Sequence, residues 1–449
     1  MRRIAIIGSG ISGLGAAWAL SQQHAVTLFE AQDRPGGHAN TVHVTQEGRV
    51  RPVDTGFLVY NAHNYPHLVR LFAELGVTTA QSDMSFAVSM DDGRLEYTGS
   101  PRGLFLQKRN LLRPRFWRMV RDTLRFYKEA PTWLAQRTGD DRDDPSIGAY
   151  LARNGYSRAF IDDHLVPMAA AIWSCPDREV LDFPAESLLR FLDNHGLLQV
   201  EGRPQWRTVA GGSRHYVRAI TDPLGERLRL NSPVSAVRRE ASGVTVTSNG
   251  TTERFDAVVL ATHADQTLAI LGDDATARER EVLGAFRYSQ NHAWLHSDPG
   301  LMPRRRDGWA SWNYLGRSGR SDDRTRDVSV TYWLNRLQNL TPPDIFVSLN
   351  PHREPAPDKV LARMNYDHPI LDGAACAAQD RIPEIQGGQN TWFCGSYLGY
   401  GFHEDGLESG LAVAAALGAP VPWCDAVSPA SPADRRARPL GTGTDQAAA

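Results

Sequence analysis

Ile4-Ala5-Ile6-Ile7-Gly8-Ser9-Gly10-Ile11-Ser12-Gly13 joins a short apolar run directly to a glycine-rich turn. Four consecutive apolar residues cut off by glycine read as a strand buried on both faces. A helix is expected from Ile11 to about Gln22, and a second strand over Val26–Phe29. Strand, helix and strand in that order require parallel pairing, because the crossover returns the chain to the same end of the sheet. Within the turn, Gly8 permits the sharp bend, Gly10 lets the backbone approach a pyrophosphate, and Gly13 lets helix and strand pack closely. Ile11 and Ser12 open the helix, whose free N–H groups and positive dipole end favour a phosphate. Glu30 ends the second strand, 22 residues after Gly8, where an acid can take ribose hydroxyls. An acid there argues against a 2′-phosphate. The common register of turn, helix and acid points to a bound dinucleotide, without separating NAD from FAD.

Outward from this unit, the segment from about Leu71 to Trp206 is rich in arginine and aromatics and reads as largely helical. Strand signals return at Ser232–Val237 and Val244–Thr247, and Asn249-Gly250 suits a type I′ turn before Thr251–Phe255. Ala257–Ala261 reads as another buried strand. The pattern from Leu283 to Pro383 is mixed, with a polar loop over Arg317–Asp327. A last strand, Thr391–Cys394, runs into Gly395, and a helix is expected from Gly406 to Leu417. The Ala-, Pro- and Arg-rich tail after Trp423 is expected to be disordered. Nucleotide-type segments therefore fall at the start, middle and end. Two interleaved domains follow: 1–75, 205–275 and 385–424 for the dinucleotide, 76–204 and 276–384 for the substrate, with 425–449 as the tail.

The whole chain sets looser bounds. A length of 449 residues suits two domains, and 41% hydrophobic with 22% charged residues is ordinary for a globular protein. The formal net charge of −2 offers no overall pull toward nucleic acid or an anionic membrane. No nucleic-acid-binding module is recognised, so nucleic acid is not an expected partner. Cys175, Cys376, Cys394 and Cys424 lie far apart without a CxxC pair, which suggests neither disulfides nor a metal site and fits a reducing, cytoplasmic setting. No apolar run reaches the ~18 residues of a membrane span.

Four further segments carry a resemblance. Glu30-Ala31-Gln32-Asp33-Arg34-Pro35-Gly36-Gly37 resembles the E-x(3)-R-x-G-G continuation found in the flavin amine oxidase and phytoene desaturase superfamily. Asp54-Thr55-Gly56-Phe57 resembles its D-x-G turn beside the flavin. Val258-Val259-Leu260-Ala261-Thr262 resembles its second nucleotide-contacting strand, with Val234 at the adenine-side contact. Gly395, then Gly406-Leu407-Glu408-Ser409-Gly410, resembles its C-terminal flavin motif. The resemblance implies an α/β fold, with a Rossmann-type FAD-binding domain interleaved with a mixed sheet-and-helix substrate domain. It implies FAD as the sole dinucleotide, held by the first glycine turn, Glu30, Ala31, Arg34, Gly36, Gly37, His38, Thr55, Gly56, Phe57, Val234, Ala261, Thr262, Gly395, Ser396, Gly406 and Leu407. The phrases Gly-Tyr-Gly-Phe-His-Glu-Asp-Gly at 399–406 and Ala-Ile-Trp-Ser-Cys at 171–175 resemble one bacterial branch. Some members of that branch are associated with desaturating fatty-acyl chains beside a methyl branch.

Departures from the family pattern sharpen that expectation. Flavin amine oxidases usually carry a lysine near flavin N5; here the corresponding stretch, Arg287–His296, offers Asn291 or His292. The chain's only lysines are Lys108, Lys128 and Lys359. His38 stands where an arginine is common, and Ser396 where an acid is common. No cysteine occupies the family's covalent flavin position, so FAD is expected to be non-covalent.

Dehydrogenating an acyl chain requires a hydride acceptor and a path for a proton. Tyr397, Tyr400, His403 and Glu404 precede the flavin-facing helix; His403, Tyr400 and Glu404 are the catalytic candidates, His403 first because imidazole titrates near neutral pH. The alternative is that the tyrosines and Phe402 pack against the ring and His403 caps the helix. Residues 104–130 interleave basic side chains with Phe116, Val120, Leu124 and Tyr127 at helical spacing. Such a helix either meets an anionic membrane, to receive a lipid-linked acyl substrate at the inner face, or packs its apolar side into the core while its arginines stay solvated.

Overall fold

The computed structural model describes residues 1–137, 144–173, 177–200, 202–317 and 329–423. The expected tail at 425–449, Ser174 and Cys175 of the branch motif, and most of the Arg317–Asp327 loop lie outside the described residues.

The strand Arg3–Ile7 is the middle of a five-stranded parallel sheet ordered Leu228–Arg229, Ala25–Phe29, Arg3–Ile7, Ala257–Leu260, Thr391–Phe393. Its alternate residues face opposite ways. Ile4 and Ile6 join one buried cluster, with Leu14, Ala17 and Leu411; Ala5 and Ile7 join another, with Phe255, Leu271 and Phe393. Cover on both faces explains why this strand is apolar throughout rather than alternating. The helices Ile11–Leu20 and His403–Ala416 pack against each other on the first of these faces. Their contact is close because it is lined with glycine: a Cβ on Gly410 would overlap the Ser12 carbonyl oxygen, and one on Gly406 would come within 2.8 Å of the Ile11 side chain.

A three-stranded antiparallel sheet, Val234–Glu240, Gly243–Ser248 and Thr251–Phe255, adjoins this unit. Asn249 and Gly250 both have positive φ, 50° and 77°, as a type I′ turn requires.

A seven-stranded mixed sheet carries the other half of the molecule. Its order is Val360–Ile370, Arg287–His296, Phe346–Leu349, Ser329–Trp333, Trp312–Gly316, Phe86–Met90, Leu95–Thr98. Helices Pro114–Gln136, Ile147–Arg153, Val166–Trp173 and Ala185–Asn194 share its large apolar cluster. The middle of the chain is largely helical, as expected, but three strands not foreseen there, Thr79–Ser82, Phe86–Met90 and Leu95–Thr98, precede the helices Pro114–Gln136 to Ala185–Asn194. Phe86–Met90 pairs in parallel with Trp312–Gly316, a partner too distant in sequence for any local window to find.

The long helix Pro114–Gln136 also departs from the expected stripe. Its buried face is Phe116, Met119, Phe126, Ala130 and Leu134, while Val120 and Tyr127 are half-buried and Leu124 is exposed. Among the described residues no helix is long and apolar enough to cross a membrane.

Candidate active site

The glycine turn is shaped by its neighbours. Gly8 has φ +99°, and a Cβ there would come within 2.7 Å of the Ala261 carbonyl oxygen; a Cβ on Gly13 would overlap the Gly8 carbonyl oxygen. A Cβ on Gly10, by contrast, would meet no protein atom within 4 Å. Gly10 faces a cavity of about 970 Å³, and its helix has no side-chain cap, leaving the first N–H groups for whatever fills that space. A pyrophosphate suits this turn in both shape and charge.

Glu30 lines the same end of the cavity with Ala31 and Val234. Its carboxylate accepts from Ser9 N at 3.0 Å, from the Ser9 hydroxyl and from Gln32 N at 2.9 Å, which fixes its direction. The Glu30–Gly37 stretch folds back over the turn: Gly36 N donates to Ser9 O at 3.0 Å and the Arg34 guanidinium to Gly37 O at 3.0 Å. Arg34, Gly37, His38, Thr55, Gly56, Phe57, Ala261, Thr262, Gly395 and Ser396 all line the cavity.

Gly13, Gly36, Gly406 and Leu407 do not line it. Gly13 serves the turn, and Gly36 bends it with φ +112°. Gly406 and Leu407, expected beside the cofactor, pack on the first helix, Gly406 against Ile11 and Leu407 against Gly15.

His38 is half-buried on the cavity wall, and its Nε2 has no hydrogen-bond partner in the protein. Burial first, then the neighbouring His368 and other positive groups, hold its pKa well below the ordinary value. A neutral imidazole with an unsatisfied nitrogen on a cavity wall suits a bound hydroxyl or phosphate oxygen. Its ring lies 4.9 Å from that of Tyr366 and 5.4 Å from that of His368. The Tyr366 hydroxyl accepts from Asn40 Nδ2 at 3.0 Å and meets the Thr55 hydroxyl at 2.7 Å, which pins the Thr55-Gly56 turn to the opposite sheet. Asp54, just before it, accepts from Ser213 N and Oγ and from Thr41; burial nevertheless raises its pKa to about 6.

The three catalytic candidates separate. Glu404 is not on the cavity: its two oxygens accept from His67 N at 2.7 Å and Leu68 N at 3.0 Å, capping the helix Pro66–Glu74. Its burial holds the pKa well above the usual range. His403 lines the cavity, but its ring stacks on Phe57 at 3.8 Å and its Nε2 meets the Tyr216 hydroxyl at 3.1 Å. Burial lowers its pKa to about 3, so the expectation that it titrates near neutral pH is corrected. Tyr400 lines the cavity beside Phe191, at 5.6 Å between rings, and Trp173.

Sequence reasoning missed Tyr288, His263, Tyr366 and His368, all on the cavity wall. Tyr366 and His368 are two residues apart on one strand, a period-2 signal hidden in a stretch read only as mixed. Asn291 is buried outside the cavity and donates to His368 Nδ1 at 3.3 Å, leaving the proton of that neutral ring on Nε2. His292 is exposed. None of the chain's three lysines lines the cavity.

Away from the glycine turn, the cavity runs between the large sheet and its helices. Apolar side chains on that wall include Met84, Phe86, Leu104, Met119, Val120, Met168, Ile172 and Leu197, and its polar ones include Tyr97, Thr123, Tyr127, His164, His195 and Arg203.

Comparison with known proteins agrees with this geometry. AofH of Mycobacterium tuberculosis, described as a flavin-containing monoamine oxidase, is 28% identical over 349 residues, covering 73% of this chain and 70% of that one. The structure of putrescine oxidase bound to putrescine superposes with a TM-score of 0.67 at 17% identity, covering 93% of this chain and 98% of that one. A fatty acid isomerase from P. acnes that produces CLA superposes with a TM-score of 0.64, also at 17% identity, covering 91% and 97%. The family model described as flavin containing amine oxidoreductase matches residues 11–291. The chain belongs to that family, as an FAD-dependent oxidoreductase.

Proposed function

We propose that the protein dehydrogenates a long apolar substrate, most specifically a methyl-branched fatty-acyl chain, placing a double bond beside the branch. The observation that carries this reading is the apolar wall leading away from the glycine turn. It offers Met, Leu, Ile and Phe side chains to a substrate, and among the described residues the only acids on the cavity lining are Glu30 and Asp367. A hydrocarbon gains about 0.8 kcal/mol per methylene buried on such a wall, whereas an alkylammonium loses hydration with little charge to replace it. The absence of any lysine on the lining points the same way.

The cofactor is held, on this reading, by the first glycine turn, Glu30, Ala31, Arg34, Gly37, His38, Thr55–Phe57, Val234, Ala261, Thr262, Gly395 and Ser396. No cysteine lines the cavity among the described residues, which supports non-covalent FAD. FAD supplies the acceptor for the hydride. The protein's part is to exclude water, align the chain, and take the proton lost from the neighbouring carbon. His403 and Phe57 form a stacked, uncharged wall, and neutral His38 and His368 add no positive charge that would repel a departing proton. Tyr400 is the candidate to pass that proton on.

Amine oxidation is the second reading, favoured by the similarity to AofH. An anaerobic absorbance spectrum before and after adding phospholipid with methyl-branched acyl chains separates the two. Bleaching of the flavin band near about 450 nm, with a new double bond in the lipid, is the expected result. An unchanged spectrum with lipid, and bleaching by a primary amine with peroxide on readmitting air, would replace it.

A further inference from the structure

The large apolar side chains left exposed among the described residues are Met1, Val50 and six others: Phe105, Leu111, Leu112, Trp117, Leu124 and Val200. Phe105, Leu124 and Val200 also line the cavity, so these three mark its mouth. Leu112 is 87% exposed and Leu124 56%, values a lone surface leucine reaches but a cluster rarely does. Trp117, Arg121, Leu124 and Lys128 follow one another at helical spacing on the outward side of the Pro114–Gln136 helix, mixing apolar and basic groups on one face.

Charge points to the occupant of this face. Residues 101–130 contain nine basic and two acidic side chains, in a molecule whose net charge is −2. Both acids are already paired, Asp122 with Arg121 and Glu129 with Arg125. Arg102, Lys108, Arg109, Arg113, Arg118 and Lys128 have no carboxylate partner among the described residues. Arg203, which also lines the cavity, adds another cation, in contact with the Tyr127 hydroxyl. Long basic side chains around an apolar centre match phosphate headgroups above acyl chains, with the arginine and lysine stems lying along the apolar surface.

We propose that this face seats the cavity mouth on an anionic lipid bilayer, so that an acyl chain passes from the leaflet into the cavity without crossing water. The seat is wider than the helical stretch alone, since it includes Val200 and Arg203, both exposed and both lining the cavity. It rests on the acyl-chain reading for its purpose only; binding to a membrane is measurable without turnover.

The test is sedimentation of the FAD-loaded protein with phosphatidylcholine vesicles, with and without phosphatidylglycerol. Binding is expected to require phosphatidylglycerol and to weaken as salt is added. Leu112→Glu is expected to lower affinity by about tenfold, and Arg118→Gln by roughly fivefold. Both variants should keep the flavin absorbance and the oxidation of a detergent-dispersed acyl substrate, because neither residue lines the cavity. Absence of binding, equal binding to neutral vesicles, or binding unchanged in both variants would overturn the proposal. So would a dimer that Leu112→Glu dissociates in the absence of vesicle binding, which would make the face a contact between copies. Vesicle binding without lipid oxidation would leave the docking face standing and remove only the acyl substrate.

Discussion

At the scale of single residues, position proved easier to read than environment. The run from Tyr397 to Glu404 was legible as bordering the cofactor, and Tyr397, Tyr400 and His403 do line the cavity. What sequence could not supply was enclosure. His403 is stacked on Phe57 and half-buried on the cavity wall, and loss of hydration there lowers its pKa to about 3, so it stays neutral through the physiological range. Glu404 is one residue further along the same helix, and that step of roughly 100° turns it away from the cavity toward the N–H groups of His67 and Leu68. Tyr400 remains the candidate with a hydroxyl on the wall. Tyr400→Phe should slow anaerobic flavin reduction by about a hundredfold while leaving flavin content unchanged. An unaltered rate in stopped-flow would show that the proton leaves by another route. The missed pair, Tyr366 and His368, depends on a strand whose partner, Arg287–His296, is itself recognisable only in three dimensions.

At the scale of elements, glycine spacing was the most informative signal. It located the first helix and the C-terminal helix because both use glycine where backbone meets backbone. The hairpin at Asn249-Gly250 was legible for a similar reason, since its turn residues carry their own backbone preference. Strands in the middle of the chain lacked any such local marker, and the arginines around them belong to the surface rather than to helix periodicity. The Glu404 cap gives an element-scale test. Glu404→Ala leaves two helix N–H groups unpaired and should cost about 1–2 kcal/mol in unfolding free energy, yet the rate of flavin reduction per bound flavin should not change. A collapse in that rate with stability preserved would return Glu404 to the chemistry. Because its carboxyl is held largely protonated by burial, Glu404→Gln should be milder than the alanine variant.

At the scale of the whole molecule, buried histidines dominate the response to acid. Burial lowers the pKa of His164, His195, His296 and His368 to about 4 and of His403 to about 3, and holds His38 well below its ordinary value. Unfolded, these six titrate near 6.5. Between the two limits the unfolded chain binds more protons, so the stability they contribute is complete above the unfolded value and is lost as pH falls. Each should cost on the order of 1 kcal/mol at about pH 5.5. Asp54 acts in the opposite sense, because its raised pKa of about 6 means the folded chain takes up its proton first on acidification. Glu404 and Asp193, whose pKa values burial also raises, act with Asp54, while that of His263 is lowered with the other six; three carboxyls do not offset seven imidazoles. Calorimetry of the FAD-loaded protein should therefore show Tm falling from about pH 7.5 to about pH 5.5; a flat or rising Tm would mean that the histidines are solvated.

The five-stranded sheet has a consequence for how the molecule is made. Its centre is Arg3–Ile7, while one edge is Thr391–Phe393, far later in the chain, and the helix that seats the glycine turn is His403–Ala416. Until that last helix emerges, the first helix has a bare glycine-lined face and the cavity has no wall at Gly395 and Ser396. Cofactor capture thus waits for residues 391–416, and until they are made the nascent chain carries apolar surface that flavin cannot cover.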